Sequence, residues 1–264
     1  MDLKITGRVA MVAASSNGIG RAAALSLAKE GCRVSLCGRD RERLEKARGE
    51  IAALSSGDRV MATPCDVTKA ADLEAWHRAT TGAWGPVDVL VTNTGGPPAA
   101  RFLVLTENQW RAGIDSTLFN VLRLCRLVLP AMRERRWGRI VHITSFVAKQ
   151  PNDLLTISST LRAGLSALTR TMSNEFARDN VLVNAVLPGH VLTDRQVHLN
   201  EIRSNEEGIA IEAYAERVER AIPIGRYASP GELGDVIAFL CGEGASYLSG
   251  ATVQVDGGLI QSTF

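Results

Sequence analysis

Short apolar runs alternate with longer amphipathic stretches along the whole chain. The runs are Arg8 to Ala14, Arg33 to Cys37, Arg59 to Ala62, Val87 to Val91, Arg139 to Ile143 and Val181 to Leu187. Runs of this kind, bounded by Gly, Pro or Asp, suit strands buried on both faces. Between them the spacing predicts helices over Arg21 to Lys29, Arg41 to about Leu54, and about Ala70 to Ala79. Further helices are predicted from about Glu107 to Arg135 and from about Ser158 to Arg178. A helix from Pro230 to Cys241 carries its start signal in full, with Ser229 as cap and Pro in the first position. A last strand, Thr252 to Val255, runs into Asp256-Gly257-Gly258.

Strand–helix alternation predicts a Rossmann-like α/β fold: a doubly wound parallel sheet with right-handed crossovers. Such sheets bind ligands beyond the carboxyl ends of their strands, where the strand order reverses. No linker interrupts the pattern, so residues 1–264 read as one dinucleotide-binding and catalytic domain. Leu192 to Pro223 breaks the rhythm as an irregular stretch. It is polar, with an apolar face at Ile209, Ile211, Tyr214 and Val218, and suits a substrate lid or a surface helical insertion.

Composition narrows the class. A chain of 264 residues buries about 70–75% of its unfolded surface and needs no staples. With 30 basic and 28 acidic side chains, the net charge of +2 gives no case for nucleic acid or an anionic membrane. The cluster Arg133, Arg135, Arg136 and Arg139, broken by Glu134 and Trp137, reads as a solvated helix end. No segment approaches the roughly 20 apolar residues of a membrane span, and Met1 to Ile5 lack a signal-peptide core. The five cysteines are odd in number and lack CxxC spacing. They fit buried thiols in a reducing cytoplasm.

The first βα turn, Ala13-Ala14-Ser15-Ser16-Asn17-Gly18-Ile19-Gly20, lies where a backbone can approach a pyrophosphate at a helix N-terminus. It resembles the TGxxxGxG of the short-chain dehydrogenase/reductases, with Ala at both of the first two positions. That substitution is tolerable where Ala14 needs no positive φ. More of the family's landmarks follow in order. Asp66 and Val67 resemble the residues that hold adenine, and Thr92-Asn93-Thr94-Gly95 stands for NNAG. Pro188-Gly189-His190-Val191-Leu192-Thr193 matches PGxxxT at the nicotinamide, and Gly250 to Gly258 resembles the C-terminal strand. The resemblance implies a cofactor site of Ala14, Ser15, Ser16, Asn17, Gly18, Ile19, Gly20, Asp66, Val67, Asn93, Thr94, Gly95, Pro188, Gly189, Val191 and Thr193. Gly38 stands where a carboxylate selects NAD, and the next residue, Arg39, offers donors suited to a 2′-phosphate. NADP(H) is therefore expected over NAD(H).

The family's chemistry uses Asn, Ser, Tyr and Lys, with Tyr and Lys as YxxxK on one helix face. Ser145, at the end of Ile140-Val141-His142-Ile143-Thr144, matches the Ser. Ser158 stands where the Tyr belongs and Arg162 where the Lys belongs, in register with the following Ala163-Gly164-Leu165. Thr117 aligns with the Asn. The three tyrosines (Tyr214, Tyr227, Tyr247) are followed four residues on by Val218, Gly231 and Ala251, so YxxxK is absent from the chain. Ser158, Arg162 and Ser145 would stabilise negative charge well and transfer protons poorly, since a guanidinium stays charged. Arg162 also suits ribose hydroxyls or an anionic substrate group. Candidate replacement acids are His142, Lys149, His190 and His198, with His190 and Lys149 ranked first and His142 read as a core residue.

The resemblance implies a carbonyl reductase of the 3-oxoacyl-reductase type with an altered acid, acting on a small molecule. It also implies a homo-oligomer, dimer or tetramer, built on Glu107–Arg135, Ser158–Arg178 and Ala251–Phe264. Two alternatives stand beside it. One is a non-redox lyase or dehalogenase, since Arg162 resembles the Arg of the halohydrin dehalogenases. The other is a dinucleotide-binding protein without catalysis.

Overall fold

The structure is a computed structural model and describes residues 2–55 and 57–263; Met1 and Phe264, which end two of the ranges above, lie outside them. The strands are β1 (Val9–Val12), β2 (Arg33–Gly38), β3 (Val60–Pro64), β4 (Val89–Thr92), β5 (Gly138–Ile143), β6 (Val181–Pro188) and β7 (Thr252–Val255). They form one parallel sheet in the order β3-β2-β1-β4-β5-β6-β7. The order reverses between β1 and β4, which opens the cleft predicted from the alternation. The helices are α1 (Gly18–Lys29), α2 (Arg41–Ala53), α3 (Ala70–Trp84), α4 (Glu107–Ile114), α5 (Asn120–Glu134), α6 (Thr156–Phe176), α7 (Asp194–Glu207), α8 (Ile211–Ala221) and α9 (Pro230–Cys241).

Alternate residues of each strand feed opposite layers, as a period of two requires. Ala10 and Val12 of β1 pack with Ala23, Leu27, Leu44, Ile51 and Ile237 of α1, α2 and α9. Val9 and Met11 pack with Trp76, Leu124, Met132, Leu165 and Phe176 of α3, α5 and α6. Small residues let α1 and α9 approach closely. A Cβ on Gly234 would lie 2.6 Å from the Ala22 carbonyl oxygen.

Three expectations change. The predicted helix Glu107 to Arg135 is divided by a π-helical segment, Asp115–Phe119, between α4 and α5. Leu192 to Pro223 is ordered as α7 and α8 rather than irregular; Thr193 caps α7 and Gly208 ends it at φ 65°. The basic cluster divides: Arg133, Arg135 and Arg136 are exposed at the end of α5, as a solvated helix end requires, and Arg139 is not. Arg139 is buried at 1% exposure, paired with Glu243 at 3.2 Å and stacked on Trp137, while the exposed Arg135 reaches the buried Asp88 at 3.1 Å. The strand that follows buried Trp137 carries Arg139 inward, which charge counting does not detect. All five cysteines are free and buried. No helix among the described residues is long and apolar enough to cross a membrane.

Candidate active site

A cavity of about 690 Å³ lies over the carboxyl ends of the strands. The β1–α1 turn forms one wall. Asn17 caps α1, its side-chain oxygen accepting from the Gly18 amide at 2.8 Å, which leaves the helix N-terminus facing the cavity. Gly18 has φ 58°, and a Cβ on Gly20 would sit 2.5 Å from the Ala14 oxygen and 2.7 Å from Asn93 Nδ2. Both glycines are dictated by backbone and packing. Ala14 itself has φ 47°, so the position does take up the left-handed region, against the condition under which its methyl would be free of cost.

Of the sequence-derived cofactor residues, Ala14, Ser16, Asn17, Gly18, Ile19, Arg39, Asp66, Val67, Asn93, Thr94, Gly95, Pro188, Gly189, Val191 and Thr193 line this cavity. Ser15 and Gly20 do not. Ser15 is buried under the turn, donating to Val12 O at 2.8 Å and accepting from the Cys37 amide at 3.1 Å. Gly20 packs against β4's loop. Burial opposes ionisation of Asp66, yet hydrogen bonds from the Thr68 amide and hydroxyl, aided by Arg39 and Lys69, hold its carboxyl below the ordinary value. Arg43, which the sequence reading missed, also lines this end; it is paired with Asp194 and Asp40, each at 3.5 Å.

Ser145, Ser158 and Arg162 meet at the other end. Ser145 follows β5, and its Oγ accepts from the Val147 amide at 3.4 Å. Ser158 and Arg162 share one face of α6, where Arg162 Nε donates to Ser158 Oγ at 3.1 Å. Arg162 Nη1 donates to the Ile143 and Thr144 carbonyls at 2.9 and 2.6 Å. These bonds fix the guanidinium against the carboxyl end of β5. Each serine oxygen is engaged as an acceptor, so each hydroxyl proton is free to be donated to a ligand oxygen. Burial, with the charge of Arg195 nearby, pushes Arg162 down to about 10, which leaves it charged at neutral pH.

Thr117 is not brought to the cavity. It lies in the π-helical segment beside a narrow internal void that it shares with Asn120 and Arg162. Thr117 Oγ1 and Asn120 Oδ1 are both buried without a partner among the described residues. Asn120, one turn beyond Thr117, was not picked from the sequence because no aligned motif marks it.

The candidate acids separate clearly. His142 is a core residue, bonded to Thr92 Oγ1 at 2.8 Å and pushed by burial to about 4. Lys149 is exposed and does not line the cavity, against its ranking. His198 lines the rim, but is exposed and paired with Glu201 at 3.5 Å. His190 lines the cavity beside Phe146, its ring 5.2 Å from that ring. A directed chain sets its tautomer. Tyr227 donates to Ala215 O, Asn200 to Tyr227 Oη, and Gln196 to Asn200 Oδ1. Gln196 Oε1 must then accept from His190 Nδ1–H at 3.0 Å, which leaves Nε2 without a partner among the described residues. Burial lowers the pKa of His190, opposed by that hydrogen bond. Tyr214 of α8, read from the sequence only as part of an apolar face, brings a phenol to the same cavity.

The chain is similar to known proteins over nearly all of its length. Residues 13–260 match a family model described as enoyl-(acyl carrier protein) reductase. A 3-oxoacyl-[acyl-carrier-protein] reductase of Aquifex aeolicus is 32% identical over 259 residues, covering 98% of this chain and 100% of its own. The crystal structure of a variant actinorhodin polyketide ketoreductase with NADPH superposes with a TM-score of 0.93 at 34% identity, covering 97% of this chain and 98% of that one. L-sorbose reductase from Gluconobacter frateurii, solved with NADPH and L-sorbose, gives 0.93 at 32% identity, covering 99% and 100%.

Proposed function

Because the chain belongs to the short-chain dehydrogenase/reductase family, we propose that it is an NADP(H)-dependent oxidoreductase interconverting a carbonyl and an alcohol on a small 3-oxoacyl-like substrate. Ser158 and Arg162 take the places of the family's Tyr and Lys. The observation that carries the reading is one continuous cavity joining the Gly18–Gly20 turn to Ser145, Ser158 and Arg162. The residues fit a dinucleotide phosphate: a capped helix N-terminus, a glycine at positive φ, and Arg39 at the end of β2. Relatives solved with NADPH support the choice of cofactor.

Bound NADPH supplies hydride. The α1 N-terminus holds its pyrophosphate and Arg39, with Arg43 alongside, the 2′-phosphate. Ser145 and Ser158 donate to the substrate oxygen, and Arg162 places fixed positive charge behind the negative charge that develops there. Proton exchange falls to His190: in reduction its Nε2 first takes a proton from solvent and then gives it to the substrate oxygen, and in alcohol oxidation the neutral Nε2 accepts it. α7 and α8 serve as the lid over the substrate end, and the chain works as a cytoplasmic homo-oligomer.

Fluorescence titration with NADPH and NADH, followed by turnover on ketones, aldehydes and acyl thioesters, tests the reading. Arg39→Ala is expected to weaken NADPH about tenfold or more and leave NADH nearly unchanged. His190→Gln is expected to remove the pH dependence of kcat that Tyr214→Phe retains; the reverse result would hand the proton to the phenol. NADPH binding with no oxidation by any substrate would leave the dinucleotide-binding protein without catalysis, a reading favoured by the engagement of Arg162 with two carbonyls.

A further inference from the structure

The arginines lining the cavity are not equally neutralised. Arg43 is paired with Asp40 and Asp194, and Arg203 with Asp153 at 2.5 Å and Glu206 at 3.2 Å. Arg162 and Arg195 have no acidic partner among the described residues. Arg195, in the first turn of α7, is mostly withdrawn from water, and only its Nη2 is engaged, donating to the Pro97 carbonyl at 2.8 Å. Its Nε and Nη1 donate to no described residue, and the side chain lines the cavity.

The two guanidinium groups lie close enough for the charge of Arg195 to disfavour that of Arg162, while burial lowers both. Two like charges held in one partly dry cavity cost free energy unless an anion joins them. The dinucleotide phosphates have their own receptors, at the α1 N-terminus and at Arg39. The backbone carbonyls on Arg162 carry only partial charge. The excess positive charge is therefore left at the end where Ser145 and Ser158 present their hydroxyl protons.

Resting on the oxidoreductase reading above, we propose that the substrate is a free oxo acid, or the hydroxy acid it yields, whose carboxylate is received by Arg195 while Ser145, Ser158 and Arg162 hold the carbonyl oxygen. A carboxylate a few bonds from the carbonyl matches the planar donor fork of Arg195. The same geometry disfavours neutral esters and amides, which would leave both guanidinium groups uncompensated.

The test uses the full chain loaded with NADP⁺, in which no hydride is available, and calorimetric titration with 3-oxobutyrate and 3-oxobutanamide. The acid is expected to bind about tenfold or more tightly than the amide. Arg195→Met is expected to bring the ratio to about one, and Arg195→Lys to restore part of it, with NADP⁺ affinity changing less than about threefold. Equal affinities in the parent, or no acid binding at millimolar concentration, would overturn the proposal. A loss of NADP⁺ affinity in Arg195→Met with the acid/amide ratio kept would also overturn it, since Arg195 would then serve the cofactor phosphate. Failure of the parent to bind NADP⁺ at all would instead sink the oxidoreductase reading; the acid/amide ratio of the unloaded chain still reads the subsite.

Discussion

Ala14 holds φ 47° at the opening of the turn, where an L-residue with a Cβ costs about 1–2 kcal/mol. Replacing it by Gly removes that cost but adds about 0.4–1 kcal/mol of unfolded-chain entropy. Ala14→Gly is therefore expected to raise stability by about 0.5–1 kcal/mol, and Tm by about 1–4 °C, in thermal unfolding. Ser158 and Arg162 raise a chemical question instead. Their hydrogen bond, and the Ile143 and Thr144 carbonyls on Arg162, tie the two side chains to each other and to the end of β5. A phenol at that position supplies an acid whose pKa an adjacent ammonium can lower. The double variant Ser158→Tyr, Arg162→Lys is expected to raise kcat for carbonyl reduction about 10²-fold, measured by NADPH oxidation. No gain in an active parent would place the proton donor elsewhere, consistent with His190.

At the scale of elements, β5 carries much of the site on its carboxyl end and a buried titratable group in its body. His142 lies opposite Thr92 of β4 in the parallel register and shares a hydrogen bond with it. Burial pushes His142 from the ordinary 6.5 down to about 4, so between those values the unfolded chain holds more protons than the folded one. Its contribution to stability is constant above about pH 6.5, falls as pH drops through the window, and by pH 4 has lost about 3 kcal/mol. Urea unfolding of the parent and His142→Gln at several pH values isolates this group; identical slopes would refute the assignment. The π-helical Asp115–Phe119 makes the same point about elements. One added residue in the helical turn changes which side chain faces the sheet, so Thr117 and Asn120 both point into the void beside Arg162.

The whole molecule presents apolar side chains that its own core does not use. Phe102, Leu103 and Val104, just before α4, are 66%, 94% and 68% exposed, and Phe119 on the π-helical segment is 43% exposed. Large apolar side chains left exposed in this way suit burial by a second copy. Light scattering is expected to give the mass of a dimer or tetramer at micromolar concentration, and a monomer would rule out that assembly. The cavity belongs to this scale as well. It draws on the turns after β1, β2, β4, β5 and β6 and on helices α6, α7 and α8, so few of its neighbours are near in sequence.

The alternation of apolar runs and amphipathic stretches determined the parallel doubly wound sheet, because a strand buried on both faces leaves a mark in every residue it contains. The register of Arg162-Ala163-Gly164-Leu165 likewise located Ser158 and Arg162, since a spacing of four on a helix already fixes a shared face. Only the tertiary structure decided the rest. Arg195 and Tyr214 meet the site through α7 and α8, and Arg139 is buried through its contacts with Trp137 and Glu243. The positive φ of Ala14 comes from the turn that the sheet and α1 impose. Charge partners, cavity walls and backbone strain depend on which distant segments come together. Local spacing carries the period of an element, and the long-range contacts that neutralise a charge or leave it open leave no mark on that period.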